Sequence, residues 1–155
     1  MIEITKQFKF SASHILPKHP GKCRLLHGHN WVLEVTLSGE VDPDSGFVMD
    51  YAELSEIMEP LIISLDHHHL GTWDHDWLPY NQEWDAGTPE GFYPSSENLV
   101  LWIAERLSAC YEPGPKWSKL VLHETDTCSC MLTREEYDRT ARNGRGNLEQ
   151  AQSSR

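Results

Sequence analysis

The stretch Leu26-His27-Gly28-His29-Asn30-Trp31-Val32-Leu33-Glu34-Val35-Thr36-Leu37 decides how this chain can fold. Apolar side chains recur at every second position toward its end: Trp31, Leu33, Val35 and Leu37. A period of two is typical of a β-strand with one buried face. The stretch therefore predicts a strand from about residue 25 to residue 41. His27 and His29 are two positions apart, so their side chains lie on one face of that strand.

Three other segments have strand character. Residues 2–14 alternate between apolar and mostly polar side chains, which predicts a strand before the quoted stretch. Residues 117–125 and 128–133 predict two more, separated by a short turn. Two hairpin-like pairs, one at each end of the chain, favour an antiparallel sheet of four strands.

Two helices are predicted between these pairs of strands. Asp50, with Glu53 three residues later, has the spacing of a capping box and begins a helix that runs to Leu65, with a kink or broken turn expected at Pro60. Ser95 or the serine after it caps a second helix that runs to residue 110. The order strand, strand, helix, helix, strand, strand predicts an α+β fold: a four-stranded antiparallel sheet with two helices on one face.

Length and composition suit one domain. The chain has 155 residues, of which 39% are hydrophobic and 24% charged, as in ordinary globular proteins. We expect a single domain over residues 1–142 and a flexible tail over residues 143–155, where Asn, Gly, Gln and Ser predominate.

No apolar run approaches the roughly 20 residues that span a bilayer, and the first residues lack a signal-peptide core. A cytoplasmic location is expected.

The charge distribution narrows the class of partner. A net charge of −11 argues against a generic nucleic-acid binder and against a membrane-surface protein. Residues 1–31 nevertheless contain five Lys and Arg against a single Glu. An anionic ligand is therefore expected to bind to the N-terminal part of the chain.

The four Cys make no convincing disulfide framework and are interpreted as free thiols.

The sharpest chemical signal is His27-Gly28-His29. Both imidazoles can reach one ion because they share a strand face, and Gly28 lets backbone approach closely. His14 ends the preceding strand and is the candidate for a third ligand. Three His with an open fourth position is the pattern of catalytic zinc. A single His is usually structural, but this arrangement favours Zn²⁺ binding by His14, His27 and His29.

Cys23 lies four residues before His27, between Lys22 and Arg24. Neighbouring cations favour its thiolate, which can act as a nucleophile or as a base. It can also serve as a fourth zinc ligand, which would close the site and make it structural, and the spacing leaves both interpretations open. Cys128 and Cys130 are interpreted as strand residues without a special role.

Two further positions carry ionisable groups of interest. Asp66 precedes His67 at the end of the first helix, and an acid beside a His is a common way to orient an imidazole. A polar helix end explains the same residues equally well. Glu124 lies in a mainly apolar strand, next to Thr125. A carboxylate there needs a partner, and it suits the guanidine-like edge of a heterocycle.

Six motifs together carry a family resemblance. Over about residues 2–133 the chain resembles the 6-pyruvoyl-tetrahydropterin synthase family, with the motifs in the family's order: Phe10-Ser11-Ala12-Ser13-His14, Cys23-x-x-x-His27-Gly28-His29-Asn30, Gly46-Phe47-Val48-Met49-Asp50-Tyr51, Leu65-Asp66-His67-His68, Pro94-Ser95-Ser96-Glu97-Asn98 and Glu124-Thr125. The short spacing from Cys23 to His27 resembles the bacterial 6-carboxy-5,6,7,8-tetrahydropterin synthases of the queuosine route. The tetrahydrobiopterin-making enzymes have a longer spacing.

The resemblance implies a role for each candidate residue. His14, His27 and His29 would bind zinc. Cys23 would be the catalytic thiolate and Asp66 with His67 a proton relay. Glu124, beside Thr125, would anchor the substrate at its 2-amino and ring N–H edge. The implied architecture is the tunnelling fold, whose subunits join their sheets into a barrel as trimers and often hexamers. Active sites in that family lie between subunits, so Cys23 and His67 in one site can come from different chains.

The resemblance also implies a reaction. It is a zinc-dependent lyase reaction that converts 7,8-dihydroneopterin triphosphate to 6-carboxy-5,6,7,8-tetrahydropterin, releasing acetaldehyde and triphosphate. The basic N-terminal part fits such a polyanionic substrate. Two alternatives stay open: pyruvoyl-tetrahydropterin or aldolase-type output from the same fold, and a non-catalytic zinc-stabilised pterin-binding protein. The chain departs from the family at His69-Leu70-Gly71, where Leu-Asn is usual, at Ser95, where Thr is typical, and in a longer aromatic loop over residues 71–94.

Overall fold

A computed structural model describes residues 1–71, 86–89, 91–110 and 116–141 of the chain. The strands are β1 (Ile2–His14), β2 (His27–Gly39), β3 (His68–Leu70), β4 (Lys116–Thr125) and β5 (Cys128–Thr133). The helices of the described residues are α1 (Tyr51–Leu65), α2 (Ser96–Cys110) and α3 (residues 134–141), and a 3₁₀ turn lies at Lys22–Arg24. The predicted α+β class and the four predicted strands are confirmed.

The sheet is larger than predicted. Its strand order is β3-β1-β2-β4-β5. The four predicted strands, β1, β2, β4 and β5, pair antiparallel with their neighbours as expected. The prediction of a purely antiparallel four-stranded sheet is wrong, because β3 adds a fifth strand parallel to β1. The chain turns at the end of α1 and lays only three residues along the β1 edge. A strand so short lies below the length at which alternation is recognisable.

The register of β1 and β2 brings their His residues together. The two strands pair continuously from Ile2 opposite Gly39 to His14 opposite His27. Because side chains directly opposite each other project to the same face, His14 and His27 are neighbours at the end of this pair. His29 is two positions along on the same face.

The core lies between one face of the sheet and the two long helices. The sheet contributes alternate residues of β1, β2 and β4, and Trp31 and Leu33 have no exposed surface. Helix α1 contributes Leu54 and Met58, and α2 contributes residues such as Ile103, all in the same apolar cluster. Both helices therefore cover one face, as predicted, and hydrophobic burial fixes their position.

The helix termini follow the predicted caps. The Asp50 carboxylate accepts a 2.7 Å hydrogen bond from the backbone N–H of Ala52, and Ser95 Oγ accepts one from the N–H of Asn98. A kink or a broken turn was expected at Pro60; helix α1 continues through this residue, so the broken turn is wrong. Pro60 lies on the exposed side of the helix, where its ring meets solvent rather than the core.

Helix α3 was not predicted. The hydroxyl of Thr133 accepts a hydrogen bond from the N–H of Glu136 at its start, and the ring of Tyr137 packs edge-on against Trp117, with centroids 5.5 Å apart. The predicted tail over residues 143–155 lies outside the described residues, as do residues 72–85 of the aromatic loop. Among the helices that are described, none is long and apolar enough to cross a bilayer.

Candidate active site

Three imidazoles converge where β1 ends and β2 begins. One nitrogen from each of His14, His27 and His29 lies within 4.8 Å of the other two, in the part of the chain that is described. The Nε2 atoms of His14 and His27 are 3.0 Å apart. Two nitrogen ligands of a tetrahedral zinc lie roughly 3.3 Å apart, because Zn–N bonds are about 2.0–2.1 Å. The spacing of the cluster is thus close to that of a metal centre.

Hydrogen bonds on the far side of two rings fix their tautomers. His14 Nδ1 donates to the carbonyl oxygen of Pro94 at 2.8 Å, and His27 Nδ1 donates to that of Leu25 at 2.7 Å. A carbonyl only accepts, so in each neutral ring the proton is on Nδ1 and a lone pair is on Nε2. Two lone pairs that face each other repel unless a cation lies between them. His29 Nε2 is also buried and makes no hydrogen bond among the described residues. These residues fit a metal ion.

Burial favours the neutral, metal-binding form of His14 and of His29. The side chain of His14 is fully buried, and this desolvation lowers its pKa to about 4. The Pro94 carbonyl acts in the opposite direction, and the neighbouring His27 and His29 lower the pKa further. Burial also lowers the pKa of His29, although Glu124 opposes the shift. The imidazole of His14 is therefore neutral at pH 7 and competes little with protons for a cation.

The base of the cluster is the hydrophobic core itself. The Trp31 ring stands edge-on to His14 and to His29, with both pairs of centroids 5.4 Å apart. Its Nε1 donates a 3.3 Å hydrogen bond to the carbonyl of Ala12. A Cβ at Gly28 would lie 3.1 Å from that same carbonyl oxygen, so glycine permits the close approach of β1 to β2. Packing thus holds the imidazoles in place.

Glu124 lies beside this cluster and is partly exposed. Its Oε1 is 3.5 Å from His14 Nε2 and 3.4 Å from His29 Nε2, and its side chain is 23% exposed. A β-bulge between His123 and Thr125 sets the direction of this side chain. Glu124 is not a member of the three-His group. Thr125 is exposed, and its hydroxyl oxygen accepts hydrogen bonds from the N–H groups of Thr127 and Cys128 in the following turn.

Asp66 and His67 form a contact on the surface. Asp66 Oδ2 is 2.9 Å from His67 Nδ1, and Asp66 Oδ1 accepts a 2.7 Å hydrogen bond from the N–H of Ser11. The Ser11 N–H is the main reason that the pKa of Asp66 is lowered, and the hydrogen bond from His67 adds to it. His67 has a left-handed backbone (φ 59°), and its side chain is 81% exposed. His67 and His29 both border an open cavity of about 350 Å³.

Cys23 is close in sequence to the cluster but is not part of it. It lies in the 3₁₀ turn, is half-buried, and its carbonyl accepts a 2.9 Å hydrogen bond from the N–H of Leu16. The described group of potential metal ligands comprises His14, His27 and His29 without this thiol. The geometry thus favours a three-His site with an open position over a site closed by Cys23.

Two features of the site were not predicted. The first is the Pro94 carbonyl, a backbone group that no side-chain pattern reveals. The second is Cys130, whose thiol donates to the carbonyl of Ser96 at 3.2 Å. Burial raises the pKa of this thiol to about 11, and the carboxylates of Glu97 and Glu124 add to the shift. Cys130 is therefore a neutral thiol at neutral pH, with the carboxylates of Glu97 and Glu124 close enough to affect it.

Several known proteins are similar to this chain over most of its length. A relative from Haemophilus influenzae named 6-carboxy-5,6,7,8-tetrahydropterin synthase is 37% identical over 84% of this chain and 97% of its own length. A relative from Pongo abelii named 6-pyruvoyl tetrahydrobiopterin synthase is 34% identical over 80% of this chain and 86% of its own. The structure of Caenorhabditis elegans 6-pyruvoyl tetrahydropterin synthase superposes with a TM-score of 0.68 at 27% identity, covering 85% of this chain and 94% of that one.

The family description itself matches almost all of the described fold. The pattern of 6-pyruvoyl tetrahydropterin synthase extends over residues 3–135, from β1 into the start of α3. The three converging imidazoles, the Asp66–His67 contact and the carboxylate of Glu124 all lie within this range of residues. The chain belongs to the 6-pyruvoyl tetrahydropterin synthase family.

Proposed function

We propose that this protein is a zinc-dependent lyase that converts 7,8-dihydroneopterin triphosphate and water to 6-carboxy-5,6,7,8-tetrahydropterin, acetaldehyde and triphosphate. This reaction would supply a precursor of 7-deazaguanine compounds such as queuosine, in the cytoplasm. One observation carries the proposal: the Nε2 atoms of His14 and His27 face each other at 3.0 Å with both protons held on the opposite nitrogens. Such a pair needs a cation, and a three-His donor set is that of catalytic zinc.

The three His would hold the metal through Nε2, with their rings positioned by Pro94, Leu25 and the indole of Trp31. When bound, zinc supplies Lewis acidity to an oxygen of the substrate side chain. The hydrophobic core covers one side of the cluster and excludes water on that side. Substrate would therefore approach from the side on which Glu124 lies.

Proton transfer would be the work of Cys23 and His67. Asp66 accepts the hydrogen bond from His67 Nδ1, which leaves His67 Nε2 free to give or take a proton. The Cys23 thiolate would remove a proton from the substrate side chain, and His67 would return one. Glu124, with Thr125 beside it, would accept hydrogen bonds from the amino and ring N–H edge of the pterin.

The exposure of His67 supports a site shared between subunits. The side chain of His67 is 81% exposed, so its own chain does not shield it from water as a proton relay requires. Its partner groups would therefore come from a second copy. We propose a homo-oligomer built from trimers and assembled as a hexamer, in which the sheets join into a barrel.

Two alternatives make different predictions. A pyruvoyl-tetrahydropterin synthase would eliminate triphosphate and keep the side-chain carbons, and the relative of that kind is almost as similar to this chain as the carboxy-type relative. The spacing from Cys23 to His27 favours the carboxy type. A non-catalytic pterin-binding protein would need a closed metal site, and the absence of Cys23 from the three-His group argues against it.

Product analysis distinguishes these reactions. The zinc-loaded protein is incubated with 7,8-dihydroneopterin triphosphate, and products are identified by mass spectrometry with a hydrazine trap for acetaldehyde. We expect the carboxypterin mass and trapped acetaldehyde in equal amounts, and neither with His27→Ala. A product that retains the three side-chain carbons would assign the pyruvoyl activity instead. Binding without turnover would assign the non-catalytic role.

A further inference from the structure

The orientation of His14 depends on a backbone group from outside the sheet. Its Nδ1–H donates to the Pro94 carbonyl at 2.8 Å, a fully buried hydrogen bond between residues 80 positions apart in the chain. Such a bond sets the tautomer and the ring plane of a metal-ligating His. Whatever positions Pro94 therefore also positions a candidate zinc ligand.

Gly71 makes the approach of Pro94 possible. It follows β3 directly, is buried and has a left-handed backbone with φ 91°. A Cβ at this position would lie 3.0 Å from Cγ and 3.1 Å from Cδ of Pro94, and 3.1 Å from the carbonyl oxygen of Phe92. A proline ring and a backbone oxygen cannot rotate away as a flexible side chain can. Any side chain here would push β3 and the Pro94 segment apart.

Both sides of this contact are fastened in place. On the β3 side, the N–H of Gly71 donates to Thr88 Oγ1 at 3.0 Å, and the N–H of Ala86 donates to the carbonyl of His69 at 3.1 Å. On the other side, the carbonyl of Tyr93 accepts hydrogen bonds from Asn98 Nδ2 and from the N–H of Ser95, at the start of α2. The separation of Gly71 and Pro94 is thus set by packing and is not free to adjust.

We propose that Gly71 is a positioning residue for the metal centre, acting through the Pro94 carbonyl on His14. In this structure the lack of a side chain at Gly71 lets Pro94 pack against β3, where its carbonyl reaches His14. The proposal rests on the zinc site of the proposed function. It adds that β3 and the downstream end of the 71–94 loop hold His14 in its metal-binding orientation.

The test compares zinc affinity in two glycine variants. Gly46 also has a left-handed backbone (φ 76°), but a Cβ there meets nothing within 4 Å. Gly71→Ala and Gly46→Ala therefore share the backbone strain, and only the first disturbs Pro94. Zinc dissociation constants are measured by competition with a chromophoric chelator, after circular dichroism has shown that both variants are folded. We expect Gly71→Ala to bind zinc about 10-fold or more weakly than wild type, and Gly46→Ala to match wild type.

Three further variants extend the test. If Gly71→Ala does not fold, Thr88→Val, which removes the acceptor of the Gly71 N–H, is expected to weaken zinc binding in the same direction. If Gly71→Ala does fold, its effect is also measured in a Pro94→Ala background. We expect Gly71→Ala to weaken zinc binding less in that background than in the wild type, because the ring atoms that clash are gone. Equal dissociation constants for Gly71→Ala and Gly46→Ala, or for Thr88→Val and wild type, would overturn the inference. Failure of the wild type to bind zinc would instead overturn the proposed function.

Discussion

The carbonyl of Pro94 holds the proton of His14 on Nδ1, so that the opposite nitrogen presents a lone pair to His27 Nε2 at 3.0 Å. His27 is oriented in the same manner by the carbonyl of Leu25. Two backbone acceptors, from segments far apart in the sequence, thus prepare two imidazoles for one cation. The resulting arrangement makes definite predictions about metal, proton transfer and acid stability.

Removal of one imidazole is expected to remove the metal. His27→Ala and His29→Ala should each lower zinc from about one per chain to a small fraction, and activity should fall with it, because two His ligands hold zinc poorly. The fold should survive, since neither side chain belongs to the apolar core cluster. Zinc content by elemental analysis and far-UV circular dichroism test both statements. His19→Ala is the control, because His19 lies in the exposed loop before Gly21. Full zinc retention in both variants would refute the ligand assignment.

Cys23→Ala is expected to keep the metal and lose the chemistry. If this thiol is the base, its loss should lower kcat by about 10²–10⁴-fold, the usual contribution of general acid–base catalysis. Zinc content and KM should change little. Cys128→Ala, at an exposed position in β5, is the matched control and should behave as wild type. Loss of zinc from Cys23→Ala would show instead that the thiol closes the metal site.

Asp66→Asn is expected to impair the relay without disturbing metal binding. The carboxylate orients His67, so replacing it with an amide should lower kcat by about 10²-fold or more, with little change in KM. Asp42→Asn is a matched control: Asp42 also has a pKa lowered by backbone N–H groups, those of Ser45 and Asp44, but it lies in a turn away from the site. Equal kcat values for the two variants would remove Asp66 from the mechanism.

The fold was predictable where the pattern was long. Strand β2 spans 13 residues, and its strict alternation predicts both the buried face and the shared side of His27 and His29. The N-terminal caps of α1 and α2, Asp50 and Ser95, could also be predicted from the sequence. Strand β3 was not, because three residues carry no period and its position depends on where α1 ends. The sequence does carry a signal for helix α3, because Thr133 and Glu136 have the capping-box spacing.

The candidate site also has parts that the sequence predicts and parts that it does not. The convergence of His14 with His27 follows from strand register, and the contact between Asp66 and His67 follows from their adjacency. The Pro94 carbonyl and the Gly71 contact could not be predicted, because they depend on how a loop returns to the sheet after more than 20 residues. Tertiary packing, rather than local pattern, decides such contacts.

Acid is expected to destabilise the metal-free protein through His14. Its pKa is about 4 in the folded chain, against 6.5 when unperturbed. Between these values the unfolded chain binds a proton that the folded chain does not, so the free energy of unfolding falls as pH decreases from about 6.5 toward 4, by up to about 1.4 kcal/mol per pH unit. Urea unfolding of metal-free protein at pH 7, 6 and 5 measures the slope. His14→Gln should show a shallower slope; an unchanged one would assign the acid sensitivity to other groups.

In the proposed site, three imidazoles would hold a zinc ion whose fourth position is open. X-ray absorption at the zinc edge of the purified protein tests it most directly. We expect about three nitrogen ligands at roughly 2.0–2.1 Å with imidazole outer-shell scattering, and a remaining light-atom ligand that is exchanged when a pterin is added. A sulfur ligand at roughly 2.3 Å, or a spectrum unchanged in His27→Ala, would contradict it.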